Sequence, residues 1–217
     1  MYNLLMKELK LGVSPFFYIL PFLTGALMLI PGWLYFFVPL YFLFITIPNM
    51  FAGYKTQNDL MFSIVMPVTR KDIVKARVAI IVILELLHIV IAVIYGMIST
   101  HLYPNLTSFF FGPTIGFWGL CFIMLAIFNI IFIPMFYKTA YKYGAATIAG
   151  ITGAMIFAAG AEWLGIVNSL VFDLFKGTGA DNMATQITIL IVGIAIFAIF
   201  SVVAYSIAIK QFEKVDI

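Results

Sequence analysis

Residues 55–77, KTQNDLMFSIVMPVTRKDIVKAR, form a long polar interval in a chain that is otherwise almost entirely apolar. The interval holds Lys55, Arg70, Lys71, Lys75 and Arg77, five of the twelve basic residues. Of the 217 residues, 64% are hydrophobic and only 10% charged, against about a quarter charged in an ordinary soluble domain. No soluble core could hide so much apolar surface, so lipid is the solvent for most of the chain. The interval therefore separates membrane spans, and the fold is worked out from it in both directions.

Two apolar segments precede it, about 13–30 and 33–53, joined by the turn signal Pro31-Gly32. Four follow, about 78–99, 114–136, 144–164 and 187–209. Each is close to the ~20 residues that cross a bilayer core. Pro21, Pro39 and Pro48 fall inside the first two spans, where lipid-embedded helices accept them as kinks. Residues 1–12, MYNLLMKELKLG, place Leu4, Leu5 and Leu9 near one helical face, as in a helix lying in the membrane interface. The expected fold is an all-α membrane protein, one domain over 1–217, with six transmembrane helices and an N-terminal interfacial helix.

Sidedness follows from counting Lys and Arg by loop. Lys7 and Lys10, the five of the opening interval, Lys138 and Lys142, and Lys210 and Lys214 fall on one side. Lys176 alone falls on the other. The expectation is that both termini and residues 55–77 are cytoplasmic.

Chemistry is sparse. The chain has no GxxxxGK[ST] phosphate loop, no HExxH and no GxSxG. One cysteine, Cys121, and two distant histidines argue against a disulfide framework or a metal site. Glu85 and His88 are three apart on the third span and share a helix face. They read either as part of a translocation path or relay, or as a mutually bonded pair that fixes packing. Asn129 reads as an interhelical hydrogen bond. Glu162 and Trp163 close the fifth span. They read as an extracellular gate with a short helix over 162–175 inside a 162–180 loop, or as an interfacial cap. The fifth span carries small residues at four-residue spacing in two registers, Ala145–Ala149–Gly153 and Ala146–Gly150–Ala154–Ala158, which let helices approach closely.

Within the opening interval, Leu60, Met61, Ile64 and Val65 recur at helical spacing behind Asp59. Pro67 ends that short helix. Thr69 then reads as an N-cap, and Asp72 three residues later completes a capping-box-like pair. Either the short helix rests on lipid headgroups, or it meets a soluble partner.

MPVTRKDIVKAR (66–77) resembles an element of the small membrane subunits of bacterial ABC-2 type exporters, with Pro67, Val68, Thr69, Arg70, Ile73, Val74 and Arg77 in place. LLMKELKL (4–11) is similar to the family's N-terminal start. The closest impression is of phenol-soluble-modulin and antimicrobial-peptide exporters. The resemblance implies a permease subunit in the bacterial plasma membrane that exports an amphipathic or hydrophobic cargo such as a peptide. It implies a second permease copy or a related permease, and a separate ATP-binding subunit that holds ATP and magnesium. No cofactor, metal, nucleic acid or catalytic residue is expected in this chain. Asp59, Leu60, Met61, Phe62, Ile64, Pro67, Thr69 and Arg70 become the residues expected to couple to the ATPase through a cytoplasmic coupling helix. The rival readings are a non-transporting immunity or sensor protein, and an intramembrane enzyme built on Glu85 and His88.

Overall fold

A computed structural model describes residues 2–57, 59, 68–104, 110–139, 142–175 and 182–215. Among them every regular element is a helix. In chain order these are α1 (Tyr2–Lys7), α2 (Phe16–Gly25), α3 (Phe37–Tyr41), α4 (Ile47–Thr56), α5 (Arg70–Leu102), α6 (Ile115–Lys138), α7 (Tyr143–Val167), α8 (Ser169–Phe175) and α9 (Met183–Glu213). A π turn, Glu8–Gly12, extends α1, and a 3-10 turn, Ala26–Leu29, extends α2. A second π turn, Phe42–Thr46, joins α3 to α4 into one span between Pro39 and Pro48.

Among the described residues five helices are long and apolar enough to cross a membrane: Phe37–Thr56, α5, α6, α7 and α9. The expected first span is shorter, an apolar helix over Phe16–Leu29. Pro21 lies within it, and Gly32 ends the turn after it at φ 72, a left-handed conformation that favours glycine. α7 runs unbroken to Val167, so Glu162 and Trp163 belong to the span itself. The separate short helix starts at Ser169, not at 162, because Asn168 takes an extended conformation and caps α8 through its side chain.

The local signals for α5 are visible in its cap. The Thr69 hydroxyl accepts from the Asp72 amide at 3.1 Å and donates to the Asp72 carboxylate at 2.6 Å. Thr114 caps α6 in the same way by accepting from the Phe117 amide.

The closest helix pair is α6 with α9, which cross at Gly119 and Gly193. A Cβ on either would overlap the backbone of the other helix. Between α6 and α7, the Ala146–Gly150–Ala154–Ala158 register is the buried one. Gly150 lies against the rings of Phe128 and Phe132. The other register stays partly exposed at Ala145, Ala149 and Gly153. Lipid tails are as apolar as the helices, so this close backbone approach, rather than exclusion of water, holds the bundle together.

Residues distant in sequence gather at two ends. Lys7, Glu8, Tyr54, Asp59, Arg70, Arg77, Tyr137 and Phe212 meet at one end. Leu34, Phe37, Phe110, Phe111, Glu162 and Trp163 meet at the other. The N-terminal helix, residues 55–77 and the last turn of α9 thus share one end.

Candidate functional site

The first of these ends is built around a buried arginine. Arg77 sits two turns into α5 and is 1% exposed. Its Nη2 lies 3.4 Å from Glu8 Oε1 and also pairs with Asp59 Oδ2. Its guanidinium stacks 4.0 Å above the centre of the Tyr54 ring, a cation–π contact. Lys7 Nζ reaches Asp59 Oδ1 at 2.6 Å and Glu8 Oε1 at 3.7 Å. Two acids and two bases therefore interleave, and their formal charges cancel. The cluster joins three separate pieces of chain: the N-terminal helix, the segment at Asp59 and the base of α5. Gly12 closes it, because a Cβ there would come within 2.7 Å of Tyr54.

Burial alone would push the Asp59 carboxyl up. The Arg77 charge and the Lys7 hydrogen bond outweigh that, and hold its pKa below the ordinary value. Asp59 thus stays ionised and keeps both partners. Among the described residues the arrangement pairs each acid with both bases. It works as a mechanical tie, rigid because desolvated charges are expensive to separate.

Arg70 makes a second tie. Its Nη1 donates to the carbonyls of Phe212 at 3.0 Å, Glu213 at 3.3 Å and Val215 at 2.9 Å, and the guanidinium lies 5.5 Å from the centre of the Phe212 ring. These carbonyls end α9, where only that of Phe212 also accepts a backbone amide, from Val215 at 3.3 Å, so the arginine caps that helix. Thr69 serves the N-cap of α5. Arg70 and Thr69 therefore have intramolecular roles in the geometry at hand. Leu60, Met61, Phe62, Ile64 and Pro67 lie outside the described residues.

A polar knot lies in the middle of the bundle. Asn129 on α6 donates through Nδ2 to Glu85 Oε2 at 2.9 Å and to Ser201 Oγ on α9 at 3.3 Å. Glu85 and Asn129 are fully buried. Glu85 and His88 face inward together, as their spacing predicts, but they do not bond to each other. His88 packs instead on the Phe42 ring of the π turn, with ring centres 4.8 Å apart. Both lie inside the chain's own bundle rather than on an open face.

At the far end, Glu162 is buried on the small-residue face of α7 and accepts from the Phe111 amide through Oε2 at 3.2 Å. Trp163 beside it is 61% exposed. Among the described residues no group of three or more His, Cys, Asp or Glu could hold a metal ion.

The helical architecture agrees with what comparison finds. The family model described as ABC-2 family transporter protein matches residues 3–213. The chain belongs to the ABC-2 transporter family. No curated protein and no solved structure matches it. Membership supports a multi-pass permease subunit of an ABC exporter, and it implies an ATP-binding partner subunit.

In this ABC-2 protein Asp59 and Arg70, two of the residues expected to couple to the ATPase, lie at the same end, and the residues that hold them were not expected. Lys7, Glu8, Tyr54 and Arg77 complete the cluster, and Ser201 completes the knot. A usable signal did exist: an acid on an otherwise basic interfacial helix has to find a cation.

Proposed function

We propose that this protein is the permease half of an ATP-driven exporter, and that residues 57–66 form a coupling helix which the partner ATPase pushes. The supporting observation is the buried Lys7–Glu8–Asp59–Arg77 cluster. Asp59 sits at the start of the coupling segment and is ion-paired to the base of α5, so a displacement of that segment pulls directly on a transmembrane helix. Because Lys7 and Glu8 share the cluster, the N-terminal helix moves with it. In this reading six segments span the bacterial plasma membrane and both termini are cytoplasmic. Two permease copies, identical or related, enclose a path for an amphipathic or hydrophobic cargo, with a peptide as the leading candidate. ATP and magnesium belong to the partner, and the permease itself catalyses nothing.

The test uses the full-length chain reconstituted with its ATP-binding subunit. Leu60→Asp and Phe62→Asp place a charge on the coupling segment and keep all four charged residues of the cluster. Partner binding and stimulated ATP hydrolysis should fall several-fold while the permease keeps its unfolding midpoint. Unchanged binding and stimulation in both variants would remove the coupling role.

A further inference from the structure

The outer end of α7 carries a feature that the export reading leaves unexplained. Glu162 is 5% exposed, yet only one of its carboxyl oxygens has a protein donor. Oε2 accepts from the Phe111 amide, whereas Oε1 has no hydrogen-bond partner among the described residues. A buried carboxylate oxygen without a donor is costly, because it has given up its hydration for nothing in return. The same glutamate lines a cavity of about 220 Å³ between the start of the second span and α7, whose other walls include Leu34, Phe37, Leu40, Met155 and Trp163. An apolar groove of about 500 Å³ lies on the far side of Trp163.

The depth of the site identifies its surroundings. α7 has 25 residues, so it is ~37 Å long, somewhat longer than a hydrocarbon core of ~30 Å. Glu162 lies ~7 Å before the end of that helix. With the helix centred on the core, that position lies ~4 Å inside the boundary between headgroups and acyl chains, within reach of the headgroups and where an exposed tryptophan also belongs. Lysine and arginine are nearly absent from this side of the sequence, Lys176 being the one such residue in its loops. The chain's own composition thus offers little to neutralise the carboxylate.

We propose that this cavity is a binding site for a lipid with a primary-amine headgroup, its ammonium donating to Glu162 Oε1 and its acyl chain lying along the apolar walls. A lipid-facing groove is in constant contact with bilayer lipid, which makes lipid the occupant favoured over a scarce solute. The carboxylate then selects among headgroups. A primary ammonium supplies both charge and N–H donors, while a trimethylated amine supplies charge alone.

The full-length protein is incorporated into nanodiscs of phosphatidylcholine, or of phosphatidylcholine mixed with phosphatidylethanolamine. It is then extracted in mild detergent, and retained lipids are weighed by native mass spectrometry. Wild type should retain phosphatidylethanolamine several-fold over phosphatidylcholine and unfold at a higher temperature when it is present. Glu162→Gln still accepts the Phe111 hydrogen bond, so it should fold and retain both lipids equally. Ala159→Trp fills the cavity without altering the carboxyl, and should lower retention of both. Equal retention of the two lipids by wild type overturns the proposal, as does an undiminished amine preference in Glu162→Gln. A dimer that retains neither lipid and unfolds identically in both membranes would assign the groove to a second copy and overturn it as well.

Discussion

Arg77 shows how a single residue can hold one end of a helix bundle together. Its guanidinium sits between two carboxylates and an aromatic face and is almost fully buried. Removing it leaves Glu8 and Asp59 with Lys7 as their remaining cation among the described residues, in a largely buried site. The cost of stranding a buried charge is roughly 3–5 kcal/mol, whereas an exposed pair is worth less than about 1 kcal/mol. Arg77→Met should therefore lower the unfolding midpoint in detergent clearly, while Lys75→Met, two residues away on an exposed face, should leave it nearly unchanged. Equal midpoints for the two variants would show that the cluster holds nothing. The contrast also explains why this site was hard to see in the sequence. Lys71, Lys75 and Arg77 look alike as cytoplasmic charges beside a span. Only the register of α5 against α1 and α4 decides that one is buried and the others wet. Thr69 was legible because capping is local, and three residues suffice to specify it.

At the scale of elements, the same division separates patterns read along one helix from those that need two. The small-residue registers of α7 were both visible, yet only one is buried, because Phe128 and Phe132 on α6 choose it. The α6–α9 crossing was not anticipated at all. Gly119 and Gly193 are single glycines, far apart in sequence, with no repeat to mark them. Their meeting is nonetheless a very close backbone approach, since each would drive a Cβ into the opposite main chain rather than into a movable side chain. Gly193→Ala should therefore cost at least the ~1–3 kcal/mol typical of overpacking, more than its gain in helix propensity returns. Gly144→Ala is the control, because a Cβ there meets nothing within 4 Å. Comparing the two thermal midpoints checks the argument. If Gly193→Ala unfolds no earlier than Gly144→Ala, the crossing is loose. The first apolar segment teaches a related lesson. Its hydropathy suggested a full span, but Pro21 and the Pro31-Gly32 turn leave a helix of only Phe16–Leu29.

Across the whole molecule, the two gathered ends give the charge pattern a physical meaning. The end that collects Glu8, Asp59, Arg77 and the last turn of α9 is also the end whose loops carry exposed Lys55, Lys71, Lys75, Lys138 and Lys142. The opposite end is lined by aromatic and aliphatic residues around Glu162. Basic loops are retained on the cytoplasmic side during insertion, so the ionic end should face inward and the Glu162 end outward. An orientation experiment can use the chain's own chemistry, because the one native cysteine, Cys121, is buried and should stay silent. Tyr103 at the end of α5 and Lys142 before α7 are both exposed and lie on opposite sides in this arrangement. In intact cells a membrane-impermeant maleimide should label Tyr103→Cys and spare Lys142→Cys until the membrane is opened. The reverse pattern would place the charge cluster outside the cell, beyond the reach of any ATP-binding subunit, and the coupling reading would fail with it.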